Sequence, residues 1–371
     1  LGILGSLQIA IFFLICIPAI YWFRSSRFHV EGGNSLTNPK TVHKISVILP
    51  MRNEIKNVER KLNSMIPEII GSDLVELVVV DSESPDGTAE LAKNLLIASQ
   101  LENSRWRVEN VEKRGKNVAI NHILDNTGSE IVVISDADAE VSPGWLDAVI
   151  DRLSENSIGV VSGIEKPLEK REDFFNNFYR NQSNRLRIAE SSIDSTPVLE
   201  GSLLAWRVDA LNDFRLSELE NADDAQLGLR SIRCGFRAVV DDRIMFQDFD
   251  KKRRTFGEMA RRSQGLSIAL MRNFDLTLIS LRPKARLAII NAIFLYVFFP
   301  WLFLILGVNT VVAMSMGPPV IGSWGFFSLC FISGILLFKR GRALLFGIGV
   351  SLYAHSQILI GKRYGNWEPV R

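Results

Sequence analysis

The stretch Ile131-Val132-Val133-Ile134-Ser135-Asp136-Ala137-Asp138 is four β-branched apolar residues running into a serine and two aspartates. An uninterrupted apolar run of that length predicts a strand buried on both faces, with the acidic pair at its carboxyl end. Upstream, Ile45-Ser46-Val47-Ile48-Leu49 has the same character and leads into a polar turn and a helix with Val58, Leu62 and Met65 on one face. Glu76-Leu77-Val78-Val79-Val80 is a third such run; Asp81 opens its turn and Thr88 to Ser99 reads as a helix. Apolar strands separated by helices predict an α/β domain with a parallel sheet covered on both faces. Ligands of such sheets bind beyond the carboxyl ends of the strands. Both acidic turns fall at that edge.

The chain has 371 residues, a formal net charge of +2, 47% apolar and 23% charged residues, and a mean hydropathy of +0.13. That charge content is ordinary for a soluble domain, whereas a positive mean hydropathy is not. The distribution reconciles the two. Charged residues crowd Thr41 to Arg286, and both ends are nearly free of them. This composition excludes a disordered chain and a disulfide-stapled secreted domain, and a near-neutral charge gives no case for nucleic acid. Cys16, Cys234 and Cys330 are far apart and fit no framework or metal pattern, as expected of a reducing compartment for the central part.

Leu1 to Phe23 carries no charge and is followed by Arg24 and Arg27. About 20 apolar residues cross a bilayer as a helix, and basic residues placed after the run distinguish it from a signal peptide. The positive-inside rule then puts the amino terminus outside and the charged middle in the cytoplasm. Leu287 to Met316 is uncharged behind Arg282, Lys284 and Arg286; Gly317-Pro318-Pro319 breaks it; Val320 to Phe338 is a second uncharged run ahead of Lys339, Arg340 and Arg342. Ala343 to Gly361 is long enough to span, but crossing would put Lys362 and Arg363 outside, so a span and an interfacial helix both stay open. His355, with no second metal-type residue near it in sequence, reads as a packed side chain.

Neither a Rossmann glycine fingerprint nor a phosphate-cradling P-loop is present. The acidic strand ends ask for another explanation. Asp136 and Asp138 flank one small residue and can share a divalent cation; hard oxygen ligands suit Mg2+ or Mn2+, which would neutralise a diphosphate.

In order and spacing, these residues resemble family 2 glycosyltransferases of the GT-A fold. Pro50-Met51-Arg52-Asn53-Glu54 is similar to that family's turn after the first strand, and Val80-Asp81-Ser82-Glu83-Ser84-Pro85-Asp86-Gly87-Thr88 to the turn after the second. Arg114-Gly115-Lys116-Asn117 with Asn121 resembles its G-K-x-x-A-x-N helix start, and Asp136-Ala137-Asp138 its D-x-D. Gly201 to Arg207, followed by Ala210-Leu211, resembles the acceptor-side segment. Asp223-Asp224-Ala225-Gln226-Leu227, with Arg230 and Gly235-Phe236-Arg237, resembles the E-D-x-x-L block, Asp223 replacing the usual Glu. The similarity covers Lys44 to Gly265.

The resemblance implies a Rossmann-like nucleotide-diphospho-sugar transferase domain. Pro50, Asn53, Glu54 and Asp81 would form the nucleotide pocket, Asp81 reaching the base or ribose. Lys116 would balance diphosphate charge, and Asp136 and Asp138 would hold the metal. Gly201 and Asp223 would lie on the acceptor side, with Asp224 as the base that takes the acceptor hydroxyl proton. The expected organisation is a transmembrane helix over 1–23, a GT-A domain over 41–250, basic interfacial helices over 251–286 and a membrane region over 287–371, with two to three C-terminal transmembrane helices in all.

Lys251-Lys252-Arg253-Arg254 and the run through Leu266 read as an amphipathic helix beside anionic headgroups. Cellulose and hyaluronan synthases carry Q-x-x-R-W in this region; here Glu258, Arg261 and Arg262 correspond, so the aromatic platform for a growing polymer is missing. Arg261 and Arg262 suit a diphosphate or acceptor phosphate instead. The resulting expectation is a multi-pass cell-membrane protein with its catalytic domain in the cytoplasm. It would transfer a sugar with inversion from a UDP- or GDP-sugar to a lipid-linked or saccharide acceptor, using Mg2+ or Mn2+ beside membrane lipids and without nucleic acid. A processive polysaccharide synthase and a non-catalytic membrane scaffold are the alternatives. Asn181-Gln182-Ser183 fits a glycosylation sequon but would lie in the cytoplasm.

Overall fold

Ile45–Met51 forms β1 with every residue buried, and its neighbours are equally apolar. The computed structural model describes residues 2–25, 42, 44–166, 174–249, 255–316 and 324–364. β2 (Val75–Asp81), β3 (Trp106–Asn110) and β4 (Ile131–Ser135) run parallel to β1 in the order β3-β2-β1-β4. Met51 pairs with Asp81, so the carboxyl ends of β1 and β2 lie level. Pro50 sits inside β1, but pairing with β4 ends at Ile48, so its missing N–H is not needed on that side.

Beyond β4 the sheet changes direction. β5 (Ala139–Val141), β6 (Ile158–Glu165), β7 (Leu203–Arg207) and β8 (Arg237–Asp248) complete an eight-stranded sheet ordered β3-β2-β1-β4-β7-β6-β8-β5. β7 is antiparallel to both β4 and β6. The sheet is therefore mixed and not wholly parallel as expected. β7 is buried throughout, and a strand buried on both faces carries no alternation from which direction could be read.

Side chains alternate across the sheet. Ile45, Val47 and Leu49 face a core closed by α2 (Val58–Ile70), α3 (Thr88–Ala98) and α5 (Trp145–Ser154). Ile48, Val78, Val132 and Ile134 face a core closed by α4 (Lys116–Leu124) and α7 (Asp223–Arg233). α6 (Phe174–Ile193) leads from β6 towards β7.

α1 (Gly2–Ser25) precedes the domain. α9 (Pro283–Ile293), a π-helical turn at Phe294–Phe298 and α10 (Phe299–Ser315) follow one another as a single long helix. Among the described residues, two helices are long and apolar enough to cross a membrane, Gly5–Ser25 and Pro283–Ser315. The second begins ahead of the expected Leu287–Met316 run, and its Ala285, Ala288, Ile289, Ala292 and Ile293 are packed into the α/β domain's own core. Ile11 and Ile15 of α1 pack with Phe299, Phe303 and Leu306 of α10. α11 (Trp324–Leu337) has 14 described residues, about 21 Å at 1.5 Å per residue, against the ~30 Å of a hydrocarbon core. Arg27 and Gly317-Pro318-Pro319 lie outside the described residues.

α8 (Phe256–Arg272) opens on a capping box between Thr255 and Glu258. It buries Ala260, Gln264, Gly265, Ser267 and Leu270. α12 (Lys339–Leu359), the ambiguous segment of the sequence, lies along it. Phe256 meets Phe346 and Tyr353 edge-on at 6.2 and 5.2 Å, and Ser263 bonds Ser351 at 3.3 Å. Trp301 donates to His355 Nδ1 at 3.1 Å; an indole can only donate, so His355 Nε2 carries the proton given to Ser267 at 3.0 Å. His355 is the packed side chain expected. α8 is thus buried on one side against the domain and lies along α12, while Phe256, Arg262, Met271 and Arg272 stay exposed; the basic run Lys251 to Arg254 lies outside the described residues.

At Gly163, between β6 and β8, an added Cβ would stand 2.5 Å from the Ile244 carbonyl oxygen. Gly163→Ala should therefore lower unfolding stability by about 1–3 kcal/mol in chemical denaturation, while Gly128→Ala, whose Cβ meets nothing within 4 Å, should leave the midpoint unchanged.

Candidate active site

Two loops at the carboxyl ends of β1 and β2 are stitched together by side chains. Ser84 N and Oγ donate to Asp81 at 2.8 and 2.5 Å, and Ser84 Oγ accepts from the Asn53 amide at 2.8 Å. The Glu54 amide donates to Thr88 Oγ1 at 2.9 Å, whose own proton goes to Asp86 at 2.6 Å. Asn53 is held at a φ of 55°, a conformation Asn tolerates better than most residues. Its buried Oδ1 has no hydrogen-bond partner, so the pocket holds an acceptor open. Burial pushes the Glu54 carboxyl up to about 7 despite a bond from Asn57, with Asp138 and Asp136 adding to it. Asp81, expected at the base or ribose, is 2% exposed and uses both carboxylate oxygens to build this loop.

The Asp136-Ala137-Asp138 turn leaves β4 over an interior cation that the sequence reading missed. Lys61 is wholly buried and donates to Ser135 Oγ at 2.6 Å and to the Ala139 carbonyl at 2.8 Å, clamping both ends of the turn. Burial pushes its amine down to about 7, opposed by Asp136 and Asp138. A signal existed: Lys61 lies three residues after Val58 and four before Met65, on the apolar stripe of α2. From the other side, the Asp136 amide and Ser135 Oγ both donate to the Ser202 carbonyl at 3.2 and 2.7 Å. Ser202 Oγ donates to Asp136 Oδ2 at 3.3 Å.

Lys116, the first residue of α4, joins this turn to α7. Its Nζ lies 2.7 Å from Asp136 Oδ1 and 2.8 Å from Asp223 Oδ2. Lys116 is thus already committed to two carboxylates, where a diphosphate partner was expected. Burial would raise the Asp136 carboxyl, but Lys116 holds it below the usual carboxylate range. Asp138 faces solvent in the cleft, and loss of hydration there, with Asp136 and Asp248 nearby, pushes it up to about 6. Gly201 lies alongside the Lys116–Asp223 pair, its Cβ position 3.7 Å from each charged atom.

The start of α7 is fixed by the asparagines of α4. Asn117 Nδ2 donates to the Ser217 and Glu220 carbonyls, each at 2.8 Å. Asn121 pairs with both backbone groups of Leu216, at 2.8 and 2.9 Å. That anchors the segment leading into Asp223 and Asp224. Asp224 does not cap the helix; Ala222 stands at the cap without a side-chain bond, and Asp224 Oδ1 accepts from the Ala225 amide at 2.7 Å. Burial and then Asp223 push the Asp224 carboxyl up to about 7, with Glu200 adding to it.

α8 carries Arg261 and Arg262 into the same cleft. Asp136 and Asp223 favour the charge on Arg261 against burial and Arg262; Glu200, Asp248, Asp136 and Asp224 do so for Arg262, outweighing burial. Glu200, paired with Arg187 of α6, and Asp248, at the end of β8, also belong to the cluster. Neither belongs to a motif read from the sequence.

Among the described residues, no three His, Cys, Asp or Glu side chains converge on one point. Two carboxylates at an open turn fit Mg2+ or Mn2+, which keeps several positions for water and a substrate diphosphate.

A mixed sheet with paired aspartates at the carboxyl end of β4 and an acidic helix start facing them is the architecture of a GT-A glycosyltransferase. Residues 46–213 match the sequence profile of Glycosyl transferase family 2, so this part of the chain carries a family 2 glycosyltransferase domain. It is 29% identical over 119 residues to glycosyltransferase AglE of Haloferax volcanii, covering 32% of this chain and 38% of that protein. It is 30% identical over 144 residues to 4,4'-diaponeurosporenoate glycosyltransferase of Staphylococcus haemolyticus (37% of each). To dolichol-phosphate mannosyltransferase of Pyrococcus furiosus it is 30% identical over 117 residues (31% of each). The chain thus spans less than two fifths of the length of these curated relatives. A solved mannosyltransferase from Pyrobaculum calidifontis, in complex with GDP-Man and Mn2+, superimposes with a TM-score of 0.80 over 97% of this chain and 100% of that one, at 24% identity. That likeness is one of fold.

Removing the shared cation should be costly. Lys116→Met leaves Asp136 and Asp223 facing each other unpaired, and unfolding at neutral pH should show a loss of about 1.5–3 kcal/mol, measured by denaturation of the full chain in detergent.

Proposed function

We propose that this chain moves a sugar, with inversion, from a nucleoside-diphosphate sugar to a lipid-linked or membrane-proximal acceptor at the cytoplasmic face of a cell membrane. One observation carries the reading: Asp136 and Asp223 share the Lys116 ammonium, so the acidic turn and the helix start bearing Asp224 belong to a single cleft.

Asn53, Glu54 and the loop built on Asp81 would receive the nucleoside, with Pro50 setting the strand end beneath them. Asp136 and Asp138 would hold Mg2+ or Mn2+, which when bound supplies Lewis-acid charge to the leaving diphosphate. Lys116, Arg261 and Arg262 would add positive charge around the same group, preorganised by the carboxylates that hold them. Gly201 leaves room beside the Lys116–Asp223 pair for the acceptor end. Asp224 would take the proton from the acceptor hydroxyl. A carboxyl at about 7 is well matched to a general base near neutral pH.

The membrane placement rests on the two long apolar helices and on α9, whose first turns are part of the catalytic core. Such a helix would hold the cleft close to the lipid surface. Two relatives are named for hydrophobic compounds, dolichol phosphate and 4,4'-diaponeurosporenoate, which supports a lipid-linked acceptor. A single transfer is favoured over polymer synthesis. Glu258 is spent on the cap of α8, and Arg262 stands where the synthases place tryptophan.

Asp224→Asn should reduce turnover by at least about 10²-fold while nucleoside diphosphate affinity barely changes, because the nucleotide does not touch that side chain. The parent's kcat/KM should rise with pH through about 7, since the base acts only when deprotonated, and the variant should lack that limb. Near-parental turnover in Asp224→Asn would place the base elsewhere.

A further inference from the structure

The helix bearing Arg261 and Arg262 is clasped by the backbone that follows α12. Gln264, 3% exposed, donates from Nε2 to the Lys362 carbonyl at 3.1 Å and accepts the Tyr364 amide at 2.9 Å. Its amide therefore pairs with that backbone much as a neighbouring strand would. The Tyr364 carbonyl in turn accepts from Asn221 Nδ2 at 2.7 Å, and Asn221 lies two residues before Asp223. Residues 362–364 thus touch both α8 and the segment that opens α7.

These two elements are in close contact. A Cβ on Gly265 would lie 3.3 Å from Ala222 Cβ, and Arg272 of α8 pairs with Glu220. Opposing charges stand across this contact, the guanidinium groups of α8 on one side and Asp223 and Asp224 on the other. The distance between them is set by how tightly α8 is drawn onto residues 220–222. Small displacements matter here, since misplacing reacting groups by about 1 Å can cost on the order of 10²-fold in rate.

We infer that Gln264 and Asn221 are positioning residues for sugar transfer, gripping Lys362 to Tyr364 from two sides and so fixing α8 against the segment that carries Asp224. This rests on the function proposed above. Neither side chain reaches the acidic cluster, and the nucleoside loops at Asn53 and Asp81 are built by other strands. The effect should fall on turnover and spare donor recognition. A bond that merely held the chain's end in place would change thermal stability and leave turnover per folded molecule alone.

The test uses the full chain in detergent with Gln264→Leu, Asn221→Leu and the double variant. Each single change should lower kcat about 10-fold or more, with the donor KM within about threefold. The double variant should be no more than about threefold worse than the poorer single, because either loss frees the same segment and the effects are not independent. Amide exchange at Tyr364 should be slow in the parent and fast in Gln264→Leu. Parental kcat in a variant whose Tyr364 amide has been released would overturn the inference, as would fully multiplicative losses in the double. If Gln264→Leu does not fold, the partly exposed Asn221→Leu carries the same test. A parent that turns over no nucleotide sugar would count against the proposed function, whereas a parent with an unprotected Tyr364 amide would count against the clasp.

Discussion

A single half-buried ammonium holds this site together. Lys116 lies within 3 Å of carboxylate oxygens from two separate elements, the turn after β4 and the first residue of α7. Around it stand Asp138, Asp224, Glu200 and Asp248, and that many acidic groups in one cleft repel one another unless cations are interleaved. Lys61 from below, Arg187 from α6 and Arg261 and Arg262 from α8 supply them. The order of the site follows from this constraint. α4 must begin where its first side chain can reach both carboxylates, its asparagines must anchor residues 216–220, and α8 must fold back over the cleft.

The constraint reaches into the apolar helices. α8 can return its arginines only if its other face is covered, and α12 covers it through Phe256, Ser263 and Ser267. α9 packs under the same domain before continuing through the π-helical turn into α10. The apolar helices are therefore extensions of the catalytic core and share side-chain contacts with it. The backbone after α12 passes against Asn221 and Gln264, so residues 362–364 lie against the α/β domain.

Much of this was legible in the residues because the strongest signals are local. The runs Ile45 to Leu49, Glu76 to Val80 and Ile131 to Ile134 are apolar strands stopped by polar or acidic turns, and they lie within β1, β2 and β4. What was hidden depends on tertiary placement. β7 runs antiparallel, yet a strand buried on both faces reads the same in either direction. β3 is only half-buried, too weak a pattern to register. Lys61 stood in view on an apolar stripe but looks like any helical lysine until its ammonium is seen beneath the turn. Lys116 was found, though its partners could not be, because Asp136 and Asp223 are 20 and 107 residues away along the chain. Arg262 replaces an aromatic platform, and only the surrounding carboxylates give that replacement a reason.

The central claim is that the Asp136-Ala137-Asp138 turn makes donor binding depend on a divalent cation. Calorimetric titration of the full chain in detergent with UDP and GDP, with and without Mn2+, tests it most directly when repeated on Asp138→Ala. Because Asp138 is exposed, that change should leave the unfolding temperature unaltered. The expected result is nucleoside diphosphate binding that requires Mn2+ in the parent and loses its metal-dependent part in the variant. Equal binding with and without the cation, or full metal dependence surviving in Asp138→Ala, would contradict it.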